Sequence, residues 1–139
     1  MDDRVVPALG VGDLLDELVG TLPEAGGAVV LSADGLVLDT SGAIDPLFAA
    51  HLSAVAAGLH AVATAAGRNS GAAEVRQTVV EMEYRLLVVM PVTRAVLLAV
   101  VFDAVSELAS VRDRIAAFAM VMGRRLAVPT DLAELVNTP

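Results

Sequence analysis

Apolar residues recur at helical spacing in three stretches of the chain and crowd into short runs in five others. Leu14, Leu15, Leu18, Val19 and Leu22 form one stripe, which predicts a helix from about Gly12 to Leu22 with Asp13 as N-cap and Pro23 as its stop. Ala28 to Ser32 and Leu36 to Thr40 are aliphatic runs joined by Ala33-Asp34-Gly35. Asp-Gly between two such runs predicts a hairpin, because Gly supplies the positive φ that a tight turn needs. Asp45-Pro46 opens a second helix, with Asp as cap and Pro in the first helical position. It continues to Ala66 along the stripe Leu52, Val55, Leu59, Val62, which six alanines thicken: Ala49, Ala50, Ala54, Ala56, Ala57 and Ala61. A helix apolar on more than one side wants a packing partner besides its own sheet.

The polar stretch Gly67 to Gly71 predicts a loop. Three strands follow, Val75 to Met82, Arg85 to Val92 and Ala95 to Phe102, and the short connections at Glu83-Tyr84 and Thr93-Arg94 make neighbours antiparallel. Leu108, Val111, Ile115, Phe118, Met122 and Leu126 step by 3, 4, 3, 4 and 4, the best helical period in the chain, and Pro129 is expected to end that helix. Thr130 to Val136 adds one short helical turn. The expected order is α-β-β-α-β-β-β-α in one α/β domain of the α+β kind. It spans residues 12–128, between an N-terminal tail (1–11) and a C-terminal tail (129–139).

Composition narrows what such a domain can do. The 139 residues are 56 % hydrophobic and only 3 % aromatic, so the core is built from interdigitated aliphatic side chains and offers no aromatic platform for stacking bases. Mean hydropathy is +0.71. No uncharged apolar run of roughly 20 residues is expected, the longest candidate being Leu86 to Phe102, which Pro91 and Arg94 break, so no membrane-inserted segment is expected. The start, Met1-Asp2-Asp3-Arg4, lacks the basic and apolar regions of a signal peptide, and a cytoplasmic location is the expectation. There is no Cys and no Lys, which rules out thiolate, Schiff-base and phosphate-loop lysine chemistry. Abundant Ala, Gly, Val, Pro and Arg beside absent Lys reads as high-GC codon bias.

Charge is placed unevenly. Through Asp45 there are nine acids against Arg4 alone, and the rest of the chain balances eight acids with eight Arg, so the net charge of −8 sits in the first third. Such a field repels nucleic acid and anionic lipid and suits a protein partner with a basic patch.

Candidate chemistry is sparse. His51 and His60 lie nine residues apart on one helix and point to opposite faces at about 100° per residue, so they cannot chelate one ion and read as surface or packing residues. Gly10-Val-Gly12 is half a dinucleotide fingerprint without the preceding strand. Glu81 and Glu83 read as solvated strand charges, and no nucleophile elbow, metal-binding His pair or acid–base dyad appears. Catalytic residues, metal ligands and cofactors are accordingly expected to be absent. Arg68, with Asn69 in the same predicted loop, is a partner-contact candidate, because a loop arginine can complete a GTPase site in trans.

Ala28-Val-Val-Leu-Ser-Ala-Asp-Gly-Leu-Val-Leu, His51-Leu-Ser-Ala-Val-Ala-Ala-Gly-Leu-His and Val75-Arg-Gln-Thr-Val-Val-Glu-Met-Glu together resemble the roadblock/dynein light chain family. The likeness is greatest to actinobacterial members encoded beside Ras-like GTPases, and it covers about Gly12 to Leu126. It implies a profilin-like fold, with a five-stranded antiparallel sheet in the order 2-1-5-4-3. The second helix would lie on one face and the first and third on the other. It further implies a homodimer joined through the third strand and second helix, over Val75, Arg76, Gln77, Thr78, Val79, Val80, Leu52, Val55 and Leu59. The implied role is that of a non-catalytic scaffold or regulator of a Ras-like GTPase, with a sensor-kinase-like protein as a further partner and membrane recruitment through partners only. Two stretches depart from the family pattern: the turn Pro91-Val-Thr-Arg-Ala95 lacks glycine, and Asp103 to Asp113 is unusually charged. A rival reading is a small-molecule-binding sensory domain of the same fold, which would show a cavity with convergent polar groups. A third is an obligate heterodimer subunit, which would aggregate when made alone.

Overall fold

The computed structural model of the chain describes residues 10–22, 24–42, 44–72, 74–103 and 108–137. Eight elements follow in order: α1 (Val11–Thr21), β1 (Ala25–Ser32), β2 (Val37–Thr40), α2 (Pro46–Ser70), β3 (Thr78–Glu81), β4 (Leu86–Pro91), β5 (Val96–Phe102) and α3 (Leu108–Asn137). The strands form one antiparallel sheet in the order β2-β1-β5-β4-β3, as the family resemblance implies. Most of the N-terminal tail and the helix stop at Pro23 lie outside the described residues.

Alternation along the strands builds two cores. Ala28, Val30, Val88, Met90, Leu98, Val100 and Phe102 face α1 and α3, meeting Leu14, Leu15, Leu18, Ile115 and Met122. Val29, Leu31, Leu87, Val89, Leu97, Ala99 and Val101 face α2 and meet Ala49, Leu52, Ala56 and Ala57. Because both faces are covered, the strands read as continuous aliphatic runs rather than as an alternating pattern.

Local chemistry sets the element ends, and in several places it departs from the expectation. The N-cap of α1 is Gly10; Asp13 is three residues in, and its carboxylate accepts the Gly10 N–H at 3.2 Å. The hairpin turns at Gly35, φ +98°, and the Ser32 hydroxyl accepts the Leu36 N–H at 3.1 Å. Asp45 caps α2 through the Phe48 N–H at 3.0 Å, and Pro46 opens the helix. That helix runs one turn further than expected, because Gly67 is tolerated within it and the left-handed cap falls on Gly71, φ +72°. Arg68 and Asn69 therefore belong to the last turn of α2 and not to a loop.

Strand β3 is shorter than the predicted Val75 to Met82, and Pro91 explains it. Thr78 pairs with Val89 and Val80 with Leu87, so continuing the register would put Arg76 opposite Pro91. Val92 donates to Val96 at 2.8 Å, so the nitrogen of Pro91 points the other way, toward β3, and it carries no hydrogen. The ladder stops there, and Val75, Arg76 and Gln77 have no strand partner in the protomer. At the other end of the chain α3 is one helix through Pro129 to Asn137 rather than two pieces.

Helix α2 also corrects the membrane reading. By length and composition alone it could cross a bilayer, although the sequence was expected to hold no such segment. In the fold Ala49, Leu52, Ser53, Ala56 and Ala57 are buried against the sheet, so one face of the helix is committed to protein.

Candidate functional site

The flank of α2 next to that buried face is not covered. Phe48 (45 % exposed) and Val55 (54 %) share a stripe with Leu52 and Leu59, and the stripe runs beside β3, the strand at the edge of the sheet. Between them lies an open groove of about 720 Å³. Its walls are Phe48, Leu52, Val55 and Leu59 from α2, Val80 from β3, Met82 from the following turn, and Leu87 and Val101 from the sheet. Asp45, His51 and Arg85 are its polar lining residues. The Arg85 guanidinium donates to Asp103 at 3.0 Å across the exposed surface. The groove is thus a long apolar trough with a sparse charged rim, able to bury side chains.

The edge beside the groove is open in a defined way. The Met82 N–H donates to the Arg85 carbonyl at 2.8 Å, so residues 82, 80 and 78 turn their backbone groups toward β4. Val79 and Glu81 turn theirs outward, where another strand could pair with them.

Of the interface residues expected from the sequence, Leu52, Val55, Leu59 and Val80 line this one groove. Thr78 and Val79 lie on the adjoining edge, and the Val79 side chain packs toward the other core. Val75, Arg76 and Gln77 lie on the chain leading into β3, with Val75 turned to a different cavity. Sequence reasoning passed over Phe48, Met82 and Ile44; Phe48 could have been found as the residue preceding Leu52, Val55 and Leu59 at 4, 3 and 4 spacing.

That different cavity, of about 500 Å³, lies at the far end of α2 and gathers His60, Thr64, Arg68, Glu74, Val75 and residues 91–94. His51 and His60 do face apart, the first into the groove and the second into this cavity. Among the described residues no group of three or more His, Asp or Glu is placed to hold a metal ion.

The roadblock/LC7 domain model matches residues 11–102, from the start of α1 to the end of β5. This chain belongs to the roadblock/LC7 family. A roadblock/LC7 domain from Streptomyces avermitilis is 32 % identical, with a TM-score of 0.79 over 86 % of this chain and 99 % of that one. MglB of Myxococcus xanthus is 20 % identical with a TM-score of 0.76, over 84 % of this chain and 94 % of that one. Profilin II of Acanthamoeba castellanii is 15 % identical with a TM-score of 0.58, over 80 % of this chain and 94 % of that one. The last two show a shared fold, so the roadblock architecture here is profilin-like, as expected. No curated protein matches the chain.

Proposed function

We propose that this roadblock domain is a dimeric, non-catalytic scaffold that binds a Ras-like GTPase. The observation that carries the reading is the apolar groove between α2 and β3, lying beside an unpaired strand edge. A second copy placed there would cover Phe48, Val55 and Met82 and satisfy the outward backbone groups of Val79 and Glu81 together. Family membership supports the GTPase as partner. The acidic first third of the chain supports electrostatic steering of a basic partner surface, which salt would weaken as the Debye length falls from about 10 Å at 0.1 M to about 3 Å at 1 M. The scaffold acts in the cytoplasm, reaching the membrane through partners that include a sensor-kinase-like protein.

In this reading any change in GTP hydrolysis comes from favouring one arrangement of the partner's switch segments. A bound scaffold shifts that equilibrium only by its differential affinity. An inserted arginine would act differently, contributing on the order of 10³- to 10⁵-fold. Arg68 is the arginine to test, although its place on a helix rather than a loop limits its reach. Single-turnover hydrolysis by the partner GTPase at saturating scaffold decides the matter. Arg68→Ala should keep most of the effect, and Val55→Asp, which puts a charge in the groove, should lose it. Complete loss with Arg68→Ala while binding persists would overturn the scaffold mechanism.

A further inference from the structure

The face of α2 that packs on the sheet changes character along its length. Ser53, Ala57, His60, Thr64 and Arg68 step by 4, 3, 4 and 4 residues and so form one line down the helix. The first two are buried against the sheet. The last three line the cavity of about 500 Å³, whose other walls are Glu74, Val75 and the turn between β4 and β5. A helix face turned toward protein is ordinarily apolar, because a buried polar group without a partner is costly. Here that rule is broken at His60, which is half-buried and whose Nδ1 is buried with no hydrogen-bond partner, while Thr64 is half-buried and Arg68 is exposed at the rim.

Two arginines meet at this cavity, Arg68 from α2 and Arg94 from the turn. Neither guanidinium has an ion-pair or hydrogen-bond partner among the described residues. Both arginines are exposed at the rim, as is Glu74, so an anion can reach the two guanidinium groups from solvent. Guanidinium groups suit phosphate, which they can grip through paired N–H donors. Thr93 adds to this: its Oγ1 accepts the Ala95 N–H at 3.2 Å, which leaves its own hydroxyl hydrogen to donate. Glu74 is the one carboxylate in the lining and can accept from hydroxyl groups on the rest of a ligand. The volume lies within the range of small-molecule sites, roughly 300–1,000 Å³.

We propose that the cavity between the C-terminal half of α2 and the β4–β5 turn binds a small hydroxylated phosphate monoester, of the size of a sugar phosphate. Arg68 and Arg94 hold the phosphate, and Glu74 receives the hydroxyls. This goes beyond the scaffold reading and is separable from it, because the site opens on the opposite side of α2 from the groove. Calorimetric titration of the full chain with ribose 5-phosphate tests it, with ribose and inorganic phosphate as comparisons. Ribose 5-phosphate should bind, inorganic phosphate more weakly, and ribose not at all. Arg68→Gln and Arg94→Gln should each weaken binding on the order of 10- to 100-fold, the scale of a lost charge-assisted contact. Arg114→Gln, an exposed arginine of α3 whose guanidinium donates to the Thr21 carbonyl at 2.9 Å and which does not line the cavity, should change nothing, and circular dichroism should show all variants folded. No heat with either phosphate, or equal weakening by all three substitutions, would overturn the proposal. Equal affinity for ribose 5-phosphate and inorganic phosphate would overturn the assignment of Glu74.

Discussion

Proline at position 79 should separate self-association from folding. In the β3–β4 hairpin Met82 donates to Arg85, and backbone direction alternates from there, so the Val79 N–H points away from β4 while the Val80 N–H points to Leu87. Proline at an outward position of an edge strand is tolerated by the sheet. Val79→Pro therefore leaves the protomer's own ladder intact and removes one outward donor from each copy. With two edges paired about a two-fold axis, two hydrogen bonds are lost per dimer, each with a net value of about 0.5–1.5 kcal/mol. The total of about 1–3 kcal/mol corresponds to a dimer dissociation constant raised on the order of 5- to 150-fold. Sedimentation equilibrium over a range of concentrations measures that constant, and thermal melting of the same samples at fixed concentration reports folding. Val80→Pro is the contrast, since it breaks a bond inside the protomer and should lower stability directly. If Val79→Pro unfolds the chain as Val80→Pro does, or leaves the dimer constant unchanged, the strand-edge argument is wrong.

Three further outcomes follow from single contacts. Asp45→Ala removes the carboxylate that accepts the Phe48 N–H, and urea titration should show a loss of about 1 kcal/mol. Ser53 is fully buried and its hydroxyl has no partner, so Ser53→Ala should be neutral or stabilising by up to about 1 kcal/mol; a loss larger than that would mean the hydroxyl is bonded after all. Gly35 sits at φ +98°, where a side chain is strained, and Gly35→Ala should cost about 1–2 kcal/mol by chemical denaturation.

The architecture was legible because each element carried its own periodicity. The step of Leu108 to Leu126 could only be helical, and Asp34-Gly35 between aliphatic runs could only turn. What escaped the sequence was decided by pairing in space. Pro91 ends β3 because the register, if continued, would bring Arg76 opposite it, a relation invisible until the register is known. Gly67 looked like a boundary by type, yet the left-handed cap needed a particular φ that only Gly71 adopts at this helix end. The groove was half visible: Leu52, Val55 and Leu59 announced a surplus apolar flank, whereas Met82 and Leu87 joined it only through the β3–β4 hairpin. The polar cavity was hidden more completely, because nothing in the sequence shows that His60, Thr64 and Arg68 share a cavity with residues 91–94 of the β4–β5 turn.

The most direct test of the central claim is sedimentation velocity of the full chain, alone and mixed with each Ras-like GTPase of its host in the GTP-analogue and GDP forms. The account predicts a single boundary at the mass of a dimer for the chain alone, and a faster boundary containing both proteins with one GTPase in one nucleotide state. A monomer at micromolar concentration, or unshifted boundaries with every GTPase in both states, would contradict it.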